Sequence, residues 1–229
     1  LLRGAYEYQG QKCSAASRAY IPKSIWPQVK EMLVEQVRSI RMGDPLDFRN
    51  YMSAVIDKAA YDSIMEYLDY AKSSADGEIL VGGTGDDSKG YFIEPTVVQA
   101  HDPRFKLMEE EIFGPVMTIY VYDDAKLEET LELCDTTSPY ALTGGIFAQD
   151  RQALVHMADR LRHAAGNFYI NDKPTASIVG QQPFGGARAS GTNDKAGSFL
   201  NLIRWVSQRT IKETFVPPKD FRYSFMGEK

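Results

Sequence analysis

The sequence has few cysteines, no long apolar run and no excess of positive charge. Its 229 residues include two cysteines, Cys13 and Cys134, too few for a disulfide framework or a zinc knuckle, which predicts a reducing compartment. The 26 lysines and arginines are outnumbered by 31 acidic residues, for a net charge of −5, which argues against a nucleic-acid partner. No apolar run approaches the roughly 18 residues of a membrane span, so we expect no membrane partner either.

The N-terminus has no signal-peptide pattern, because Leu1-Leu2-Arg3 is followed by mixed polar sequence. We therefore predict a cytoplasmic protein, with the mitochondrial matrix as the alternative for a eukaryotic source. The composition, 43% hydrophobic and 25% charged, is ordinary for a globular protein. Because the first residue is leucine and a reactive-looking stretch follows within a few turns, we expect the chain to be a piece of a longer polypeptide.

Helical and strand patterns alternate along the chain, which is typical of an α/β fold with helices on a largely parallel sheet. Helices are predicted over residues 25–40, 57–74, 123–134 and 150–163. Strands are predicted over residues 18–21, 78–81, 91–99, 116–122, 140–148, 166–171 and 210–216. Residues 183–197 are rich in glycine and small polar residues, which predicts a long irregular loop of the kind that often carries function.

The stretch Gly10-Gln11-Lys12-Cys13-Ser14-Ala15-Ala16-Ser17-Arg18 holds the first cysteine. Small, helix-compatible residues follow Cys13, which places it where a loop enters a helix. Free backbone N–H groups and the helix dipole at such a position stabilise a thiolate. We therefore predict that Cys13 is a nucleophile; the alternative is an inert buried cysteine. Cys134 lies on a predicted helix and is expected to be structural.

Two further stretches carry groups suited to binding. In Glu109-Glu110-Glu111-Ile112-Phe113-Gly114-Pro115, carboxylates precede an aromatic ring and a rigid turn. A carboxylate can hold a ribose diol and a ring can form a wall, although a run of charges is also typical of a solvated surface. The other stretch joins Asn167-Phe168-Tyr169-Ile170-Asn171-Asp172 to Pro183-Phe184-Gly185-Gly186-Ala187-Arg188-Ala189-Ser190-Gly191, which places an aromatic on a glycine-rich loop.

Taken together, these stretches resemble the aldehyde dehydrogenase superfamily. Four motifs occur in the order of that family: Gly-Gln-x-Cys, Glu-x-Phe-Gly-Pro, Gly-Asn-x-x-x-Asn and Pro-Phe-Gly-Gly-x-x-x-Ser-Gly. Within the superfamily the chain looks most similar to the L-glutamate-γ-semialdehyde (1-pyrroline-5-carboxylate) dehydrogenases of proline catabolism. The resemblance implies a three-layer α/β/α catalytic domain over residues 1–205, and an oligomerisation strand and tail over residues 206–229 that would make a homo-oligomer.

The resemblance also implies NAD as cofactor and assigns roles to individual residues. Cys13 would attack the aldehyde to give a thiohemiacetal, hydride would leave to the nicotinamide, and the thioester would be hydrolysed. The backbone N–H of Cys13 would donate to the oxyanion. Glu111 would hold the nicotinamide ribose, and Phe113 would pack near the ring.

On the substrate side, the resemblance places Phe184 in the wall of the aldehyde tunnel. Ser177 would anchor an α-carboxylate, and Lys12 and Ser14 would flank the other end of the substrate. Members of the family usually read Gly-Ser where this chain reads Ala176-Ser177. No metal site is expected.

The family's dinucleotide-binding domain, general-base glutamate and oxyanion asparagine would all lie upstream of Leu1. The isolated chain is therefore expected neither to bind NAD tightly nor to turn over. Three alternatives remain open at this point: a dehydrogenase for another small acid semialdehyde, a non-catalytic remnant, and a hydrolase. The hydrolase would use Cys13 with His101, His156 or His163 as its base.

Overall fold

The computed structural model describes residues 1–227, in which helices and strands alternate as predicted. The helices are α1 (Leu2–Tyr6), α2 (Trp26–Arg38), α3 (Lys58–Ser73), α4 (Lys106–Glu109), α5 (Leu127–Thr136) and α6 (Arg151–Arg160). The strands are β1 (Arg18–Pro22), β2 (Gly77–Val81), β3 (Gly85–Asp86), β4 (Phe92–Ile93), β5 (Thr96–Ala100), β6 (Val116–Tyr122), β7 (Tyr140–Ala141), β8 (Thr143–Ile146), β9 (Asn167–Ile170) and β10 (Ala187–Arg188).

The main sheet has four strands in the order β1-β6-β5-β2. Strands β1 and β5 both run parallel to β6, whereas β2 pairs antiparallel with β5. In register, Arg18 of β1 lies opposite Thr118 of β6, and Thr96 of β5 lies opposite Val116. The predicted α/β class with a largely parallel sheet is confirmed.

Both faces of this sheet are covered by helices, because its strands carry apolar residues on both sides. Val97 and Met117 pack with the buried residues of α1 and α2. Val98 and Val116 point the other way and pack with the buried residues of α3, including Leu68. The result is the predicted three-layer α/β/α arrangement.

Two helix starts are set by aspartate side chains, as the sequence indicates. Asp57 accepts a hydrogen bond from the backbone N–H of Ala60 at the start of α3, and Asp150 accepts one from Gln152 at the start of α6. Such caps satisfy backbone donors that have no partner within the helix, and each contributes about 1 kcal/mol.

A smaller unit forms beside the main sheet, where β8 and β9 pair in parallel. Its core consists of Leu131 of α5, Ile146 of β8, and Leu154 and Leu161 from α6 and its C-terminal end. The single strand predicted over residues 140–148 divides into β7 and β8, and β7 pairs instead with β10.

The strand predicted over residues 210–216 does not form in this chain. Residues 206–214 have no regular structure, and Ile211, Phe215 and Val216 are exposed. A strand needs the hydrogen-bonding edge of a neighbour, and in the described part of the chain no strand lies alongside this segment. None of the helices in residues 1–227 is long and apolar enough to cross a membrane.

Candidate active site

Cys13 is exposed and lies in a tight turn, in which Ala15 donates a backbone hydrogen bond to Lys12 (3.0 Å). The helix predicted after Cys13 is absent, because the chain leaves this turn directly into β1. The backbone N–H of Cys13 donates to no acceptor among residues 1–227, so it is available to an oxyanion. Residues 10–17 are called the cysteine turn below.

A left-handed segment precedes the cysteine turn. Tyr8, Gln9 and Gly10 have φ values of 55°, 58° and 67°. A Cβ at Gly10 would overlap the carbonyl oxygen of Gly114 and lie 2.9 Å from that of Ala5. Glycine is therefore required here, and the cysteine turn lies directly against the Glu109–Pro115 stretch.

Glu111 and Phe113 project from that stretch, while the residues that follow each of them, Ile112 and Gly114, are buried. Ile112 is 5% exposed, and Gly114 is buried. Phe113 has φ 57° and is 44% exposed. The buried neighbours fix the backbone, so both side chains are presented to solvent from a rigid support.

The three consecutive carboxylates differ in their partners. Glu109 accepts from Arg104 (3.3 Å), and Glu110 accepts from the hydroxyl of Tyr67 (2.6 Å). The Glu111 carboxylate has no hydrogen-bond or ion-pair partner within residues 1–227. Of the three, Glu111 is therefore the carboxylate that is free to receive a ligand.

Two of the residues predicted around the substrate, Lys12 and Ser14, are linked to residues 172–177, which include Ser177 and are called the anchor loop below. The hydroxyls of Ser14 and Thr175 share a hydrogen bond of 2.7 Å. Lys12 and Lys173 both donate to the carboxylate of Glu7, at 3.0 Å and 2.7 Å. Ser14 is buried and its hydroxyl is paired with that of Thr175, so this hydroxyl joins the cysteine turn to the anchor loop.

Glu7 is held ionised by its two lysine partners. Partial burial by itself would raise the pKa of Glu7, but the hydrogen bonds from Lys173 and Lys12 lower that pKa below the ordinary 4.5. The ion pairs therefore persist at neutral pH. They weaken only when the pH falls below 4.5 and through the lowered pKa of Glu7.

The loop that carries Phe184 is held by the Gly-Asn motif. The Asn167 amide donates to the carbonyl of Pro183 (3.1 Å) and accepts from the backbone N–H of Gly185 (3.1 Å). Lys195 donates to the carbonyl oxygens of Gly166 and Gly185. Burial lowers the pKa of Lys195. Sequence reasoning assigned no role to Asn167, which belongs to the Gly-Asn motif, or to Lys195, which lies in the predicted loop over residues 183–197.

Unusual backbone conformations mark the same segments. Eight non-glycine residues in the described chain have positive φ: Tyr8, Gln9, Phe113, Asn171, Ala176, Arg188, Asn193 and Lys195. All of them lie in or next to the motif stretches and the anchor loop. Such conformations cost about 1–3 kcal/mol each and cluster at functional sites, so the strain supports the sequence-based location of the site.

Ala176 provides a test of this strain. Its φ is +65°, a conformation that glycine adopts at least cost. Because the left-handed region costs L-residues about 1–2 kcal/mol, and glycine adds about 0.5–1 kcal/mol of unfolded-state entropy, we expect Ala176→Gly to be neutral or to stabilise by up to about 1.5 kcal/mol. Urea denaturation measures this.

The matched control for that experiment is Ala189→Gly, at an exposed alanine whose φ is not positive. This control is expected to lose stability. An equal loss in both variants would contradict the strain at Ala176.

The remaining titratable candidates lie elsewhere. His156 pairs with Glu128 between α6 and α5, and no histidine within residues 1–227 forms a hydrogen bond with Cys13. Cys134 is mostly buried, which raises the pKa of its thiol to about 12. Within the same residues, no group of three or more His, Cys, Asp or Glu side chains is placed to hold a metal ion.

Comparison with known proteins identifies the family of this chain. The profile of the "Aldehyde dehydrogenase family" matches residues 1–210. The chain belongs to the aldehyde dehydrogenase family. It is 63% identical over 225 residues to the mitochondrial delta-1-pyrroline-5-carboxylate dehydrogenase of Dictyostelium discoideum and 55% identical over 226 residues to that of Mus musculus. Each alignment covers 98% of this chain and 40% of the relative.

A solved structure shows the same fold. The delta-pyrroline-5-carboxylate dehydrogenase of Mycobacterium tuberculosis bound with NAD superposes with a TM-score of 0.87 at 51% identity. The superposition covers 99% of this chain and 41% of the bacterial one. This aldehyde dehydrogenase chain therefore spans about 40% of the length of the relatives it matches.

Proposed function

We propose that this chain is the thiol-bearing part of an NAD-dependent dehydrogenase that oxidises L-glutamate γ-semialdehyde to L-glutamate in proline catabolism. Residues 1–205 would form the catalytic domain. One observation carries the proposal: the turn that holds the exposed Cys13 lies against the stretch of Glu111, whose carboxylate has no partner within residues 1–227, and is hydrogen-bonded to the loop that holds Ser177. The names of the relatives support the same substrate.

In this proposal, Cys13 is the nucleophile. Its Sγ attacks the aldehyde carbon, and its unpaired backbone N–H donates to the oxygen that takes up negative charge. After loss of hydride the acyl group is held on Sγ as a thioester, until water releases it as a carboxylate and restores the thiol. The general base and the second oxyanion donor would lie upstream of residue 1.

The residues at Glu111 and Phe113 fit NAD. Two hydrogen bonds from a ribose diol need a carboxylate without other partners, and the Glu111 carboxylate meets that condition within residues 1–227. Phe113 offers an exposed ring face beside it. NAD, when bound, would supply the hydride acceptor for the reaction.

The anchor loop and its lysines fit an aldehyde that carries an α-carboxylate. Lys12 and Lys173 both pair with the single carboxylate of Glu7, so these three side chains together carry one net positive charge, and Lys12 directly precedes Cys13. Ser177 would bind the carboxylate, and Phe184 would line the tunnel for the aliphatic chain.

Location and assembly are also part of the proposal. The names of the Dictyostelium discoideum and Mus musculus relatives favour the mitochondrial matrix over the predicted cytoplasm. The exposed side chains of Ile211, Phe215 and Val216 favour a homo-oligomer in which residues 206–229 dock on a second copy.

The proposal is tested by assaying the full-length protein and the 229-residue chain side by side. We expect the full-length protein to reduce NAD with L-glutamate γ-semialdehyde and to release glutamate, with inhibition by proline or glutamate. The chain alone should neither bind NAD tightly nor turn over. The proposal would be wrong if the full-length protein oxidised only aldehydes that lack an α-carboxylate. Robust turnover by the chain alone would contradict the proposal that the general base and the second oxyanion donor lie upstream of residue 1.

A further inference from the structure

The cysteine turn and the anchor loop are distant in sequence but are joined by a buried hydrogen bond. Ser14 and Thr175 are 161 positions apart, and their hydroxyl oxygens lie 2.7 Å from each other. Ser14 is 7% exposed and Thr175 is 3% exposed. A buried hydroxyl that loses its partner pays its desolvation cost without compensation, so this bond fixes the relative position of the two segments.

A second, charged connection joins the same two segments. The Glu7 carboxylate accepts from Lys12, inside the cysteine turn, and from Lys173, inside the anchor loop. All three side chains are about three-quarters buried. Because one carboxylate serves both ammonium groups, movement of either segment breaks an ion pair.

Backbone packing supports these two connections. The N–H of Ala16 donates to the carbonyl of Gly4 in α1 (2.9 Å). A Cβ at Gly4 would lie 3.3 Å from the ring of Pro174 and 3.6 Å from Cβ of Lys173. Helix α1 therefore packs against both the cysteine turn and the anchor loop.

We propose that Thr175 and Glu7 are positioning residues that fix the separation between Sγ of Cys13 and Ser177, and that this separation selects the chain length of the aldehyde substrate. This inference rests on the proposed function, in which Ser177 binds the α-carboxylate and Cys13 attacks the aldehyde carbon. Neither Thr175 nor Glu7 takes part in bond making.

The physical basis is that the cysteine turn and the anchor loop are held at one fixed relative position, which is called the register below. One methylene in a fitted pocket changes kcat/KM by about 10- to 200-fold. That discrimination depends on two fixed ends, because a loop that shifts by the length of one C–C bond accepts the longer or shorter homologue. Loosening the register should therefore reduce selectivity more than it reduces the rate with a single substrate.

The experiment compares full-length variants with three amino-acid aldehydes: L-glutamate γ-semialdehyde and its homologues one methylene shorter and one methylene longer. Thr175→Val removes the hydroxyl at constant shape, Thr175→Ser restores it, and Glu7→Gln removes the charge. Amide hydrogen exchange of residues 172–177 reports the register without reference to activity.

Matched controls come from α5. Thr130→Val alters a threonine that is 4% exposed and hydrogen-bonded to the carbonyl of Lys126. Glu128→Gln alters a carboxylate that pairs with His156 and Arg160. Both controls remove the same chemical groups outside the candidate site.

We expect Thr175→Val and Glu7→Gln each to lower the preference for the γ-semialdehyde by about 3- to 10-fold, a part of the discrimination that one methylene provides, and to speed amide exchange in the anchor loop. Thr175→Ser and both controls should keep the wild-type preference. Unchanged preference in both test variants, or unchanged exchange, would overturn the proposal. If the wild type oxidised none of the aldehydes, the proposed function and the chain-length selection would fail together, whereas exchange would still decide whether these bonds set the register.

Discussion

Replacement of Cys13 by alanine in the full-length protein is expected to lower kcat/KM for aldehyde oxidation by roughly 10⁴-fold or more, because loss of a nucleophile removes the covalent route. Cys13 is exposed in a turn whose backbone N–H is unpaired in the described chain. Initial rates of NADH formation, with mass spectrometry of the acylated protein, measure this effect.

The control for that experiment is Cys134→Ala. Cys134 packs in the smaller core with Leu131 and Ile146, so its replacement should affect stability and leave the acylation chemistry intact. Wild-type turnover by the Cys13→Ala variant, or acylation found at Cys134, would refute the assigned nucleophile.

Gly10→Ala is expected to produce the largest loss of stability. The left-handed φ of +67° costs an alanine about 1–2 kcal/mol. Overlap of the new Cβ with the carbonyl oxygen of Gly114 adds about 1–3 kcal/mol, as in other overpacked sites. The smaller unfolded-state entropy of alanine offsets about 0.5–1 kcal/mol of these two costs. The free energy of unfolding should therefore fall by about 1–4.5 kcal/mol, as measured by urea denaturation.

Gly180→Ala separates the two causes. Gly180 has φ +80°, and a Cβ there would meet no described atom within 4 Å. This variant should show only the backbone cost, which is about 0–1.5 kcal/mol after the same entropy offset. Equal losses in the two variants would mean that the close approach of Gly10 to Gly114 contributes nothing.

The regular elements could be predicted from local sequence because local rules determine them. Helical periodicity and the Asp57 cap define α3, and apolar residues bounded by turn signals define β6. The order of the motifs is sufficient to predict site roles for Cys13, Glu111 and Phe184. These features depend on neighbours in the chain or on motifs that persist in a family.

The features that could not be predicted depend on tertiary contacts. Small residues after Cys13 suit a helix, but the pairing of β1 with β6 forces a short turn instead. The link between Ser14 and Thr175 joins residues with no sequence signal in common. Residues 210–216 have the composition of a strand, yet a strand also needs a partner edge, and residues 1–227 provide none beside this segment.

The contrast between the two thiols has a consequence for oxidative damage. Cys134 is shielded and has a raised pKa, so peroxide has little access to it and little thiolate to attack. Cys13 is open to solvent and should be the first to form a sulfenic acid. In the full-length protein, where Cys13 is the proposed nucleophile, oxidants would then stop catalysis while the protein remains folded, and a thiol reductant would restore catalysis until the sulfinic acid forms.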